Sequence, residues 1–144
     1  MNKSLSPISL LAISRSRNIA VSNYTGEVFE WGYRLGSDLE ADSDKMIQFE
    51  VIFKLPGVAT KIQAGLEFNL FLLEDGTVWF SGQIVQTTGP CLQSNNQLIS
   101  LSERIRENCD GQTPTFVDIS TGYSHALLLD NEGKIYAFGA GDIG

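Results

Sequence analysis

The chain has 144 residues, 42% of them apolar, and its 17 acidic and 10 basic side chains leave a formal net charge of −7. That length fits one domain with a real hydrophobic core, while the negative field repels phosphate backbones and anionic lipid and so argues against direct nucleic-acid or membrane-surface binding. No apolar stretch approaches the roughly 20 residues that a bilayer-spanning helix needs.

The first apolar run, Ile8-Ser9-Leu10-Leu11-Ala12-Ile13, follows Lys3 and has the outline of a secretory leader. Serine interrupts it, and Arg15 and Arg17 stand where a small-residue cleavage site belongs, so it reads as a strand. A second short run, Ile19-Ala20-Val21, leads through Asn23-Tyr24-Thr25-Gly26 into Val28-Phe29-Glu30-Trp31-Gly32. A polar turn closed by glycine between two apolar runs signals an antiparallel hairpin, because glycine takes positive φ without steric cost. The polar connection that follows holds Asp38, Glu40, Asp42, Asp44 and Glu50. Acidic loops of this kind are mostly just solvated, and contact with a basic partner is the less common role. Ile47-Gln48-Phe49-Glu50 then alternates as a strand with one wetter face does, and Pro56-Gly57 turns the chain onward.

The hairpin pattern then recurs. Ile62 to Leu73, Glu74-Asp75-Gly76 and Val78-Trp79-Phe80-Ser81-Gly82 form a second copy, and Ile119 to Asp130, Asn131-Glu132-Gly133 and Ile135-Tyr136-Ala137-Phe138-Gly139 form a third. Between these two lies a long polar connection, residues 83–115, within which Leu98-Ile99-Ser100-Leu101 reads as an outer strand and Ser102 to Arg106 as a helical turn. Ser100 and Glu103 have the spacing of a capping box. Cys91 and Cys109 sit in the same connection, 18 residues apart, a spacing that suits no metal site. A zinc site needs four ligands, and His125 is the only histidine, so the expectation is two reduced thiols in an intracellular protein, with a disulfide pinching the connection as the alternative in an oxidising compartment.

The steps from Gly26 to Gly76 and from Gly76 to Gly133 are 50 and 57 residues. Self-similarity at such a period marks a repeat architecture whose units must stack to bury their faces. Superposing the last copies places Gly122 on Gly65 and His125 on Phe68, and the 50-residue offset places Arg15 at the glycine position and Asn18 at the histidine position of the first copy. Leu70-Phe71-Leu72-Leu73 and Leu127-Leu128-Leu129 are apolar on both sides, which strands covered on both faces require. Small sheets packed radially between their neighbours, the blades of a β-propeller, meet that demand. A β-sandwich built from the same hairpins is the alternative, and the fixed long period disfavours it. The expected fold is therefore all-β: a partial β-propeller over residues 1–144, with units near 8–36, 47–82 and 98–144, long connections at 33–46 and 83–97, and a ring not closed by this chain alone.

Gly122-x-x-His125, an apolar strand, an acidic-glycine turn and Ile135-Tyr136-x-Phe138-Gly139 resemble the regulator-of-chromosome-condensation repeat. The resemblance covers Val58 to Gly82 and Val117 to Gly144 well, and Ile13 to Gly36 weakly. It implies a β-propeller that binds protein partners, in a family whose members typically close rings longer than this chain. Its best-known members exchange guanine nucleotide on small GTPases. The terminal Gly139-Ala140-Gly141-Asp142-Ile143-Gly144 resembles the start of the family's glycine-rich linker, so a fragment, a truncated product, or one piece of a propeller completed by another chain is expected.

Among candidate sites, that terminal stretch also spells a dinucleotide fingerprint, but it lacks the helix and the distant acidic residue that nucleotide binding requires. Around His125 no nucleophile, base and acid can be assembled, and packing or hydrogen bonding is its expected role. Gly26, Gly32, Gly65, Gly76, Gly82, Gly122, Gly133 and Gly139, with Trp31, Trp79 and Tyr136 read as equivalent aromatics, are the expected structural motif. Asp38, Glu40, Asp42 and Asp44 are the candidate partner contacts. No cofactor, metal or catalytic residue is expected. The function expected is a cytoplasmic or nuclear protein-interaction scaffold whose partner is a small GTPase or a second repeat-bearing chain. Guanine-nucleotide exchange is the alternative, and a truncated product without independent function is a further one.

Overall fold

A computed structural model of the chain describes residues 7–15, 17–33, 46–84, 92–93, 97–108 and 110–139. Its first sheet takes β1 (Leu10–Ile13), β2 (Arg17–Val21), β3 (Glu27–Tyr33) and β4 (Met46–Lys54) in chain order, each antiparallel to the next. The second sheet runs β5 (Ala59–Ala64), β6 (Phe68–Leu73) and β7 (Val78–Ile84), with the short β8 (Leu92–Gln93) and β9 (Ile99–Ser100) both pairing with β7. Helix α1 (Leu101–Asn108) follows, and β10 (Phe116–Thr121), β11 (His125–Asp130) and β12 (Ile135–Gly139) make the third sheet. These are blades, each an up-and-down sheet.

Turn chemistry sets the hairpins. In the second and third blades three residues link the strands, closed by Leu73 N–H to Thr77 O (2.9 Å) and Asp130 N–H to Lys134 O (2.9 Å), with Gly76 at φ +83° and Gly133 at φ +84°. The first turn is one residue longer: Ser22 N–H reaches Glu27 O at 3.0 Å, and Tyr24 stands 80% exposed at the tip. That added residue shifts the repeat register on the strand before the turn. Val21 pairs with Val28 as Leu72 pairs with Val78 and Leu129 with Ile135. Arg17, not Asn18, therefore holds the place of Phe68 and His125, and Ser14, not Arg15, holds the place of Gly65 and Gly122. The hydrogen bonds agree, since Ser14, Gly65 and Gly122 each donate their N–H to the carbonyl three residues on, at 2.9, 2.9 and 2.8 Å.

Two other sequence expectations shift with the register. Phe29, Trp79 and Tyr136 face Ala20, Phe71 and Leu128 and are the equivalent aromatics, while Trp31 faces Asn18 as Ser81 faces Asn69. The strand over 46–54 pairs with β3 and Ile99–Ser100 pairs with β7, so each belongs to the preceding sheet and does not open the units expected at 47 and 98.

The core lies between blades. One cluster joins the first blade to the second through Ile19, Val21 and Val28 against Ile62, Phe71 and Leu73. The other joins the second to the third through Phe68, Leu70, Leu72, Val78 and Phe80 against Phe116, Ile119, Ala126 and Leu128. Each of these large aliphatic and aromatic side chains contributes about 1.5–3 kcal/mol when fully buried, so a blade draws its stability from its neighbours. Helix α1 seals the second interface with Leu101 and Ile105. Its start is capped by Ser100 Oγ, which accepts the Glu103 N–H at 3.2 Å.

Candidate protein-docking faces and the inner rim

The loops before β2, β6 and β11 form a rim that stitches blade to blade. At Gly65 a Cβ would stand 2.6 Å from Phe68 Cδ1, and at Gly122 it would stand 2.8 Å from His125 Nε2, so each ring lies over a backbone that has no side chain. Opposite those rings sit the strand-ending Gly82 (φ +104°) and Gly139 (φ +112°), where a Cβ would stand 2.7 Å from Phe68 Cα and 2.6 Å from His125 Cα. His125 is thus held by packing geometry, and its ring edges the exposed side of the third blade.

Arg17 replaces the ring in the first blade with a guanidinium. Its Nη1 pairs with Glu30 Oε1 at 2.9 Å, its Nε donates to Leu66 O at 3.3 Å, and its Nη2 donates to Gly65 O and Phe68 O at 3.2 and 3.3 Å. One side chain so fastens the first blade to the rim loop of the second. The next junction is carried by backbone, with Leu66 N–H donating to Tyr123 O at 2.9 Å. Sequence reading missed Arg17 because the longer turn hid its equivalence to His125.

Turns and inner strands add further stitches. Asn23 clamps Ala59 from both sides, donating Nδ2 to its carbonyl (2.9 Å) and accepting its N–H on Oδ1 (3.1 Å). At the next junction Gly76 O accepts the Phe116 N–H at 2.9 Å. Lys61 Nζ meets Asp118 Oδ1 at 2.6 Å across the same junction, and this hydrogen bond holds the Asp118 carboxyl below its ordinary range. The Thr77 hydroxyl and N–H do the same for Asp75. Burial pushes the Asp130 carboxyl up, but N–H donors from Lys134 and Glu132, the Tyr136 hydroxyl and the Lys134 charge together outweigh it and hold it low.

The lateral faces at the two ends of the array differ from the buried ones between them. Leu127 and Ile135 on the third blade are 42% and 62% exposed, whereas their second-blade equivalents Leu70 and Val78 and first-blade equivalents Ile19 and Val28 are at most 1% exposed. On the other end Leu11 is 68% exposed, although the equivalent Ile62 and Ile119 are 4% and 1% exposed, but Ala20 and Phe29 beside it are 0% and 5% exposed, so only the edge strand of that face is open. The apolar surface that seals each internal junction is thus repeated on the third blade. Asp38, Glu40, Asp42 and Asp44, together with Cys91, Cys109 and Gly141 to Gly144, lie outside the described residues.

A row of antiparallel blades joined side by side, with hairpin glycines at positive φ, defines a β-propeller array. Residues 116–142 match the family model of the regulator of chromosome condensation (RCC1) repeat. It is 26% identical over 129 residues to the mouse protein named "Regulator of chromosome condensation", covering 83% of this chain and 28% of that one. Among solved structures it is similar to human WBSCR16, with a TM-score of 0.68 and 20% identity over 92% of this chain and 34% of that one. It is similar also to Prp20p of Saccharomyces cerevisiae, with a TM-score of 0.62 and 15% identity over 92% and 33% of the respective chains. The yeast protein is described with its binding to Gsp1p and histones, and it has also been solved bound to Kap60. This chain spans about a third or less of the length of each of these relatives.

Proposed function

We propose that this chain is an intracellular protein-interaction scaffold that holds a protein partner on its open blade faces and rim loops and makes or breaks no covalent bond. The observation that carries the reading is the exposure of Leu127 and Ile135 at positions whose equivalents are buried in the other two blades. A surface already shaped to seal against another protein surface needs no new chemistry to do so. Tyr123, 57% exposed on the adjoining rim loop, extends the face with an amphipathic side chain of the kind that anchors interfaces. The binding of proteins by the yeast relative supports the class of partner.

The test is capture from cell extract by the immobilised chain and by its Leu127→Asp, Ile135→Asp double variant, with captured proteins quantified by mass spectrometry. The reading expects a set of proteins held by the first and lost from the second, and equal capture by both overturns it. Exchange of guanine nucleotide on a small GTPase is a second reading, favoured by the binding of Gsp1p by the yeast relative. It would act by stabilising the nucleotide-free GTPase, which lowers nucleotide affinity by linkage. Release of a fluorescent guanine nucleotide from a purified GTPase, unaccelerated by the folded chain, removes it.

A further inference from the structure

Between helix α1 and β10 the chain crosses a largely exposed stretch, Asp110 to Thr115, that belongs to no helix or strand. Both of its ends are tied down. Gly111 N–H donates to Arg106 O at 3.2 Å, while Thr115 O accepts the Asn131 N–H and the neighbouring Phe116 N–H reaches Gly76 O, both at 2.9 Å. Between those ties Gln112, Thr113 and Pro114 make no hydrogen bond among the described residues, through backbone or side chain. Thr113 is exposed, and its hydroxyl is free. Other threonine hydroxyls are engaged: Thr25 Oγ1 with Glu27, Thr60 Oγ1 with Leu72 O, and Thr77 Oγ1 with Asp75. Pro114 adds a chemical address. The residue before a proline is steered to extended backbone, and proline has no N–H to satisfy. Thr113 therefore offers its hydroxyl in the extended form that a kinase cleft threads, one position ahead of a ring that fixes the register.

We propose that Thr113 is a phosphorylation site for a proline-directed serine/threonine kinase. In that step the Thr113 hydroxyl oxygen attacks the γ-phosphorus of ATP, and a new O–P bond forms as the bond from that phosphorus to the β,γ-bridging oxygen breaks. ADP leaves, and the hydroxyl proton passes to the catalytic aspartate of the kinase. The product carries about −1.5 to −2 of added charge. Thr115, at most about 7 Å farther along the chain, lies against Gly76 and Asn131, whose neighbours Asp75 and Glu132 are exposed carboxylates. The modification so deepens a negative rim at the second junction without entering a core. It changes what can dock there and leaves the fold intact, and it stands whether or not the Leu127 face captures proteins.

The experiment incubates the full purified chain with a purified proline-directed kinase, ATP and magnesium, beside a peptide of residues 110–118 as the unfolded reference. Tandem mass spectrometry locates the phosphate, so that modification at Ser6-Pro7, which the sequence also holds, is counted apart. Thr113 of the folded chain is expected to be modified within about tenfold of the rate in the peptide, since a segment without hydrogen bonds opens at almost no cost. Pro114→Ala is expected to lose the modification, and the circular dichroism of the modified chain should match that of the unmodified one. A folded chain that stays unmodified at Thr113 while the peptide is phosphorylated overturns the proposal, and so does failure of chain and peptide alike. Phosphate retained at Thr113 in Pro114→Ala removes the proline-directed reading, and loss of folded signal on modification removes the claim that the site lies outside the core.

Discussion

Replacing Arg17 with alanine should cost about 3 kcal/mol of stability, since breaking a buried ion pair costs roughly 3–5 kcal/mol and partial water access reduces that figure. The side chains of Arg17 and Glu30 are 11% and 17% exposed, so neither charge is well solvated when the other is removed. The same deletion strips hydrogen bonds from the carbonyls of Gly65, Leu66 and Phe68 and so loosens the junction between the first two blades. Urea unfolding followed by the fluorescence of Trp31 and Trp79 reads the effect, and a denaturant slope of about 1–3 kcal/mol per molar converts it to a midpoint shift of roughly 1–3 M. Arg17→Lys should recover only part of the loss, because an ammonium cannot fork across the carboxylate and the three carbonyls together. A double-mutant cycle with Glu30→Gln should return a coupling of about 1–2 kcal/mol. A cost below about 0.5 kcal/mol for Arg17→Ala, the level of an ordinary surface substitution, would refute the rim-clamp reasoning.

Gly65→Ala should destabilise by about 2–3 kcal/mol because the buried Phe68 ring cannot yield, whereas Gly122→Ala should cost about 1 kcal/mol or less because the exposed His125 ring can swing away. Thermal melts of the two variants compare them directly, and the reverse order would contradict the packing. Ser22 Oγ is buried without a hydrogen-bond partner among the described residues, whereas Ser102 Oγ accepts the buried Val78 N–H at 2.9 Å. Ser22→Ala should therefore be neutral or stabilising, and Ser102→Ala should cost about 1–3 kcal/mol by orphaning that N–H, both measured by urea midpoint. The carboxyls of Asp75, Asp118 and Asp130 sit below their ordinary value of 3.8 in the folded chain. Their contribution to stability is then complete above the unfolded value and is lost as pH falls through the folded values, so denaturant midpoints should hold steady down to about pH 5 and decline below about pH 4. Asp130→Asn should flatten that decline, and an unchanged slope would remove Asp130 from the account.

The parts legible in the residues were those where backbone geometry admits only one side chain. A glycine that must take positive φ, as at Gly76 and Gly133, or lie beneath a ring, as at Gly65 and Gly122, announces itself by recurrence. The first blade hid because its turn gained one residue, which moved every earlier position by one and put Asn18 where Arg17 belongs. The outer strands were harder for a different reason. β4 and β9 carry no glycine signature, and only pairing with β3 and β7 tells which blade owns them. The need for cover on both faces of a blade was legible, because its strands are apolar on both sides.

Because every junction joins the same two kinds of surface, nothing inside a blade records how many siblings it has. Duplicating or deleting one fifty-odd-residue unit would preserve the apolar part of the seams and change only their polar stitches, so the size of such an assembly is free to drift over evolutionary time. What fixes the final count is the angle between neighbours, and bridging side chains such as Asn23, which welds the first seam by clamping Ala59, stand where that angle is held.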